Sequence, residues 1–241
     1  MKKMMKSKYT LYARVFPAAL TMIPFVVLYI WVLAPLVEPI LKPVWEYLPV
    51  VTGVSINLVL LYLFEQLNRF VSKVCFQDRI FKDDLHFPTT DILMPNNPML
   101  DNETRKRYFE LIKRDFDVDV VKSLSKLKTD GEKRMMLTRL VGQIRPMLKN
   151  NSMVQQHNRE FGFVRNFVGG SVGALLVSIA IIAICCYSPN DALLITAIVM
   201  VVFYLLCIIL SKVLIIKFGK NYAYVLFEQY ACLDRNEKEK E

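Results

Sequence analysis

The chain has 241 residues, of which 54% are hydrophobic, with a positive mean hydropathy and a formal net charge of +9. A soluble domain of this length buries a full core without apolar runs such as VLYIWVLAPLV or IAIIAICC. Those runs approach the ~20 apolar residues that cross a bilayer core, so composition points to a membrane protein.

The first fourteen residues carry Lys2, Lys3, Lys6, Lys8 and Arg14 and no acid. A first span is predicted over residues 15–35. A cleaved leader is the rival reading, but the apolar stretch is longer than a leader core and no small-x-small site follows it. Pro35, Pro39 and Pro43 follow instead. The second span is predicted over 48–67 and continues as a helical stalk to about residue 82. There Leu63, Leu67, Phe70, Val74 and Phe81 recur near i, i+4 and i+7.

Polar residues also line up in this second span. Thr52, Ser55, Tyr62, Gln66 and Arg69 fall near one helix face with Val59 between them, and Glu65 lies close by. An ionisable group in a span needs water, a partner charge or the interface. Three readings of Glu65 stand. It pairs with Arg69 one turn on at the inner interface, it joins a ring lining a water-filled path between identical subunits, where it favours cations, or it is a polar group used in packing between helices.

Residues 83–166 read as a basic, mainly helical module. LHFPTTDILMPNNP contains three prolines and is predicted to be extended, with a short strand at 91–94. A helix follows, capped by Asp101 or Asn102, with Tyr108, Leu111 and Ile112 as its apolar stripe. DVDVVKSLSKLKTDG is a shorter helix or a turn. The next helix carries Met136, Leu140, Ile144 and Leu148 at i+4 spacing, a packing stripe, and Pro146 bends or ends it.

Residues 68–166 hold nineteen Lys and Arg against thirteen Asp and Glu. The exposed candidates for an anionic ligand are Arg105, Lys106, Arg107, Lys113 and Arg114, with Arg159 and Arg165 nearer the third span. Anionic lipid contact, a phosphate-rich ligand such as a nucleotide or oligonucleotide, and plain positive-inside topology all explain this charge.

The third span is predicted over 167–187. Gly169 and Gly173 form a GxxxG pair, and Gly170, Ala174 and Ser178 form a second row of small residues. Small residues let helices approach closely in lipid, within the chain or between subunits. Just before this span, Phe161, Phe163 and Phe167 suit the headgroup layer and Arg165 can snorkel to phosphate. The same stretch serves equally as an element coupling the module to the span. A fourth span is predicted over 192–216, and 217–241 as a cytoplasmic tail. The fold class is therefore an all-α membrane protein: four transmembrane helices, with a cytoplasmic module inserted between spans two and three. The distribution of Lys and Arg places both termini and the module in the cytoplasm.

Five cysteines without CxxC spacing and two distant histidines argue against a disulfide framework or a zinc site. Asp83–Asp84 and Asp115/Asp117/Asp119 are acid clusters without the glycine and terminal glutamate of a calcium loop. No HExxH, GxSxG or Walker glycine loop occurs, so the chain reads as a non-enzyme requiring no cofactor.

The order of Phe87-Pro88-Thr89-Thr90, then DNETRKRYF and FDVDV, then Phe161-Gly162-Phe163 with Arg165-Asn166 before a glycine-rich span, resembles a family of bacterial four-span membrane proteins. Phe161 stands where that family's pattern has tyrosine. The likeness is to membrane effectors of anti-phage defence of the Hailong type. It implies a homo-oligomeric, tetrameric ion channel in the inner membrane, held closed until a nucleotide or oligonucleotide signal from a nucleotidyltransferase partner reaches its cytoplasmic side. Opening depolarises the membrane and arrests growth. A non-conducting scaffold that recruits a cytosolic partner through the basic module is the alternative.

Overall fold

The computed structural model describes residues 8–36, 50–82, 84–95 and 97–238, the side chains of 50–56 and 234–238 excepted. The described residues are helical with no strand. Helix α1 spans Lys8–Leu36 and α2 spans Val50–Val71. A wider turn over Ser72–Gln77 carries α2 on to Asp78–Ile80. Then follow α3 (Pro88–Asp91), α4 (Asn102–Phe116), α5 (Val120–Lys126), α6 (Asp130–Met147), α7 (Ser152–Tyr187), α8 (Asp191–Ile209) and α9 (Ser211–Lys238). Of the described helices, α1, α7 and α8 are long and apolar enough to cross a membrane.

Local chemistry sets several of these ends. Asp101 accepts from the Thr104 amide at 2.8 Å and starts α4, which Asp117 closes in the left-handed region at φ 54°. Asp119 caps α5 through Lys122 N at 3.0 Å. Thr129 and Glu132 form a reciprocal capping box on α6, satisfying two amides that a bare helix start leaves open. Asn190 caps α8 through Leu193 N.

Several boundaries differ from expectation. Residues 8–14, read as a basic extension, already belong to α1; residues 1–7 lie outside the described residues. The predicted strand at 91–94 is absent: Pro88 opens a short helix, as suits a residue whose missing amide is spare at a helix start, and turns follow. The helix of the third span begins at Ser152, fifteen residues early. The fourth ends at Ile209, and α9 starts anew at Ser211. Residues 217–238, read as tail, are helical.

The chain divides into two compact units. The first holds α1, α2, α7 from Gly162 onward and α8. Its core gathers Ala174, Ile181, Cys185, Leu193, Ala197, Met200 and Tyr204. The second unit holds Gln77–Phe161 and the chain from Ile215. It is therefore built from α9 as well as from the residues between the second and third predicted spans. Here α9 delivers Tyr222, Ala223, Leu226, Phe227 and Tyr230 to a core with Ile92, Leu93, Ile112, Leu137 and Ile144. The tail is a core element because these residues recur at helical spacing and need an apolar partner.

Candidate functional site

Within the first unit a polar seam runs among apolar helices. Glu65 and Asn68 of α2 and Ser72, the first residue after it, share one buried face, at 7%, 5% and 0% exposure. Arg14 of α1 donates from Nη1 to Glu65 Oε1 at 3.4 Å and lies over the Tyr9 ring. Glu65 thus takes a charge 51 residues away, rather than the expected Arg69, which is exposed. Asn68 Nδ2 donates to Thr21 Oγ1 at 2.8 Å. Ser72 Oγ reaches the Arg69 carbonyl at 2.9 Å and Asn166 Oδ1 at 3.4 Å. Each buried polar group thereby meets a partner, as an apolar interior requires.

Two prolines explain the rest of the seam. Pro17 and Pro24 bring no amide hydrogen to α1, which leaves the turn before each short of a donor; Ala13, in a wider turn over Leu11–Val15, and Leu20 lie four residues back. Asn166 Nδ2 donates to the Ala13 oxygen at 2.6 Å. The Tyr204 hydroxyl donates to the Leu20 oxygen at 2.8 Å. Side chains of α7 and α8 therefore close the two gaps that proline opens, the arrangement that makes proline tolerable inside a membrane helix.

The small residues of α7 pack inside this unit. A methyl group on Gly169 would lie 2.6 Å from Ser72 N and Cβ, and one on Gly170 would lie 2.5 Å from Asn68 Cγ. Gly173 is looser, with only Phe25 Cζ near, at 3.8 Å. Ala174 and Ser178 are fully buried, and Ser178 Oγ donates to the Ala174 carbonyl. At Gly169, Gly170, Ala174 and Ser178 the close helix approach is thus within the chain.

Of the expected pore row, the described members other than Glu65 lie on the outer side of α2. Val59 and Tyr62 are exposed, at 58% and 59%; Arg69 is exposed and Gln66 half-buried. Glu65 departs from this row into the seam. Thr52 and Ser55 lie outside the described side chains.

In the second unit the anion-binding candidates also divide. Arg105 is 5% exposed. Its guanidinium holds the Pro95 carbonyl at 2.6 Å, the Leu100 carbonyl at 3.0 Å, the Asn97 carbonyl and Asn102 Oδ1. It is a clamp on the 95–102 segment and offers little surface to a ligand, because both of its terminal nitrogens are taken by oxygens of its own chain, while its buried Nε has no partner among the described residues. Arg114 pairs with Asp115 at 2.7 Å and Lys113 with Asp119 at 3.5 Å. Lys106 and Arg107 are exposed, while Arg159 and Arg165 are half-buried.

The acid cluster is employed as well. Asp115 also accepts from the Tyr230 hydroxyl at 2.7 Å, Asp117 and Asp119 cap helices, and Asp84 accepts from Gln77 Nε2. Among the described residues no group of three His, Cys, Asp or Glu converges as a metal site would.

Two of the stretches that carry the resemblance contribute packed residues. Thr89 and Thr90 are each 1% exposed. Arg145 donates to Thr89 Oγ1 at 3.1 Å and lies over both the Phe87 and Tyr222 rings. The Thr90 and Thr138 hydroxyls bond to each other, and Asp91 pairs with Arg134. Phe161 meets the Phe87 ring edge-on at 5.4 Å. Further along α7, Gly162 faces Ala13 and Tyr9.

A shallow cleft of about 390 Å³ also opens in this unit, lined by Ser123, Lys126 and Leu127 of the α5 end and by Glu132, Met135, Met136 and Arg139 of α6. The Glu132 carboxylate is engaged by the amides of Lys128 and Thr129. These bonds, that from Thr129 first, hold its carboxyl below the ordinary value, so the cleft carries the negative charge of Glu132 beside the positive charges of Lys126 and Arg139. The i, i+3, i+4 spacing of these residues is that of any helix face, so their sequence pattern alone does not set them apart. Comparison with protein-family models, curated proteins and solved structures finds no match to the chain.

Proposed function

We propose that the protein is a four-span inner-membrane protein, α2 joining α1, α7 and α8, that assembles as a homo-oligomer around an ion-conducting path lined by α2. In this reading both termini and the second unit face the bacterial cytoplasm. An anionic signal of the nucleotide or oligonucleotide class acts on the second unit, and opening depolarises the membrane. This is the role that the resemblance to anti-phage membrane effectors implies, with a nucleotidyltransferase as the source of the signal.

One observation carries the reading. Tyr62, Gln66 and Arg69 form a row that is exposed or half-buried on a helix whose other outward side chains from Leu58 to Phe70, such as Leu63, Leu67 and Phe70, are apolar. A lone subunit would turn that row to hydrocarbon, at a penalty that polar and charged groups in a bilayer avoid by facing water or a partner. Identical subunits placed row to row give it water instead. For the ligand, support comes from exposed Lys106 and Arg107 and from Lys126 and Arg139 at the cleft.

The test is ion flux from liposomes carrying the purified full-length chain, with membrane potential followed in cells expressing it alone and with candidate nucleotidyltransferases. Flux that changes on substituting Tyr62 or Gln66, with assembly intact, supports the pore. Sealed liposomes and a steady potential, with the protein confirmed in the bilayer, overturn it in favour of a scaffold.

A further inference from the structure

The inward turn of Glu65 reverses the charge that the polar row of α2 presents. On a helix advancing 100° per residue, Tyr62, Gln66 and Arg69 lie within about 60° of one another, and Glu65 sits at the edge of the same sector. Geometry of the ideal helix alone therefore leaves Glu65 free to line the row. The folded chain decides otherwise: the Glu65 carboxylate is buried, like Asn68 and Ser72, and meets Arg14 on the seam side. Glu65 is the single acid between residues 50 and 77. The charges left on the outward side of α2 are Arg69 and Lys73, both exposed.

We infer that the path along α2 prefers anions, with Arg69 and Lys73 as the residues that set the preference. The inference rests on the pore reading above. A ring of cations raises the local concentration of small anions such as chloride and repels potassium, as charged rings do at channel mouths generally. Glu65 contributes nothing to selectivity, because its charge is offset within each subunit by Arg14 rather than offered to the permeating ion.

The experiment is the reversal potential of the full-length chain in planar bilayers across a KCl gradient. The expected result is a potential displaced toward the chloride equilibrium value. It moves toward zero in Arg69→Gln/Lys73→Gln, two exposed positions whose substitution spares the buried core. Glu65→Gln is expected to leave it unchanged. A potential displaced toward the potassium value, or a large shift in Glu65→Gln alone, overturns the inference and leaves the pore standing. Absence of conductance from assembled protein instead removes the pore reading on which it rests.

Discussion

Asn166 donates its side-chain amide to the carbonyl of Ala13, four residues before Pro17 and 153 residues away in sequence. The bond has a specific purpose, which makes it testable. Replacing Asn166 with Ala leaves a buried carbonyl without a donor and is expected to destabilise the first unit by about 1–3 kcal/mol. Pro17→Ala returns an amide to α1, so Asn166→Ala should cost measurably less in that background. Thermal unfolding of the four proteins in detergent gives the double-mutant coupling. Equal losses in both backgrounds would show that Asn166 matters for some other reason.

Adjacent glycines of α7 should respond very differently. Gly169→Ala places a methyl group against backbone and side-chain atoms of Ser72 that cannot retreat, and a loss of about 1–3 kcal/mol is expected from overpacking. Gly173→Ala meets only Phe25 at ordinary contact distance and should be neutral or slightly stabilising, since alanine is the better helix former. Unfolding midpoints of the two variants compare the positions directly.

The Arg14–Glu65 pair predicts an asymmetry. Arg14→Met leaves a buried carboxylate alone and should cost about 2–3 kcal/mol, less than a fully buried pair because Arg14 retains 29% side-chain exposure. Adding Glu65→Gln removes the orphaned charge and should recover most of the loss. A double variant no more stable than Arg14→Met would show that the pair contributes little.

Arg105 and its neighbours should separate structure from surface. Arg105→Lys cannot reproduce a fork holding several oxygens and should loosen the 95–102 segment, with a loss of about 2–3 kcal/mol. Lys106→Ala and Arg107→Ala should leave unfolding unchanged. Proteolysis within 95–102 gives the local readout, and a susceptible Arg107→Ala would contradict the division.

Acid should act on the second unit through its helix caps. Hydrogen bonds from Thr104 lower Asp101, the Lys122 amide lowers Asp119, Arg134 lowers Asp130 and the Thr129 amide lowers Glu132. A carboxyl lowered in the folded state adds stability above its ordinary value, 3.8 for Asp and 4.5 for Glu, and loses it as pH falls through the folded value. Helicity should therefore hold at pH 5 and decline below about pH 4.5. Asp101→Asn, which keeps the cap without titrating, should shift that decline to lower pH.

How far the sequence could be read depends on the range of each interaction. Asp101 as a cap and the Leu140–Ile144–Leu148 stripe were legible because helix periodicity and capping act within a few residues. Runs of apolar residues likewise announced α1, α7 and α8. The partner of Glu65 was not legible, since Arg69 and Arg14 satisfy a carboxylate equally well and only tertiary packing selects between them. Arg105 sits in an RKR run that reads as surface charge, and its burial depends on the loop returning over it. Asn166 lay in a motif read as a junction, while its use depends on a proline in another helix. The same blindness to distance hid α9, whose apolar face became meaningful only beside α4 and α6.

The two carbonyls of α1 that lie four residues before its prolines also bear on how the protein is made. Helix α1 is synthesised before α7 and α8, and the donors for Ala13 and Leu20 lie 153 and 184 residues later. At roughly 5–20 residues per second, translation takes on the order of ten to forty seconds to supply them. An unsatisfied carbonyl in hydrocarbon costs several kcal/mol, so α1 enters the bilayer as an incomplete helix. It requires water or the insertion machinery at Ala13 and Leu20 until α7 and α8 arrive. Biogenesis, rather than final stability, is then where α1 is most exposed to failure, and a chain truncated before Tyr204 would leave that helix open for good.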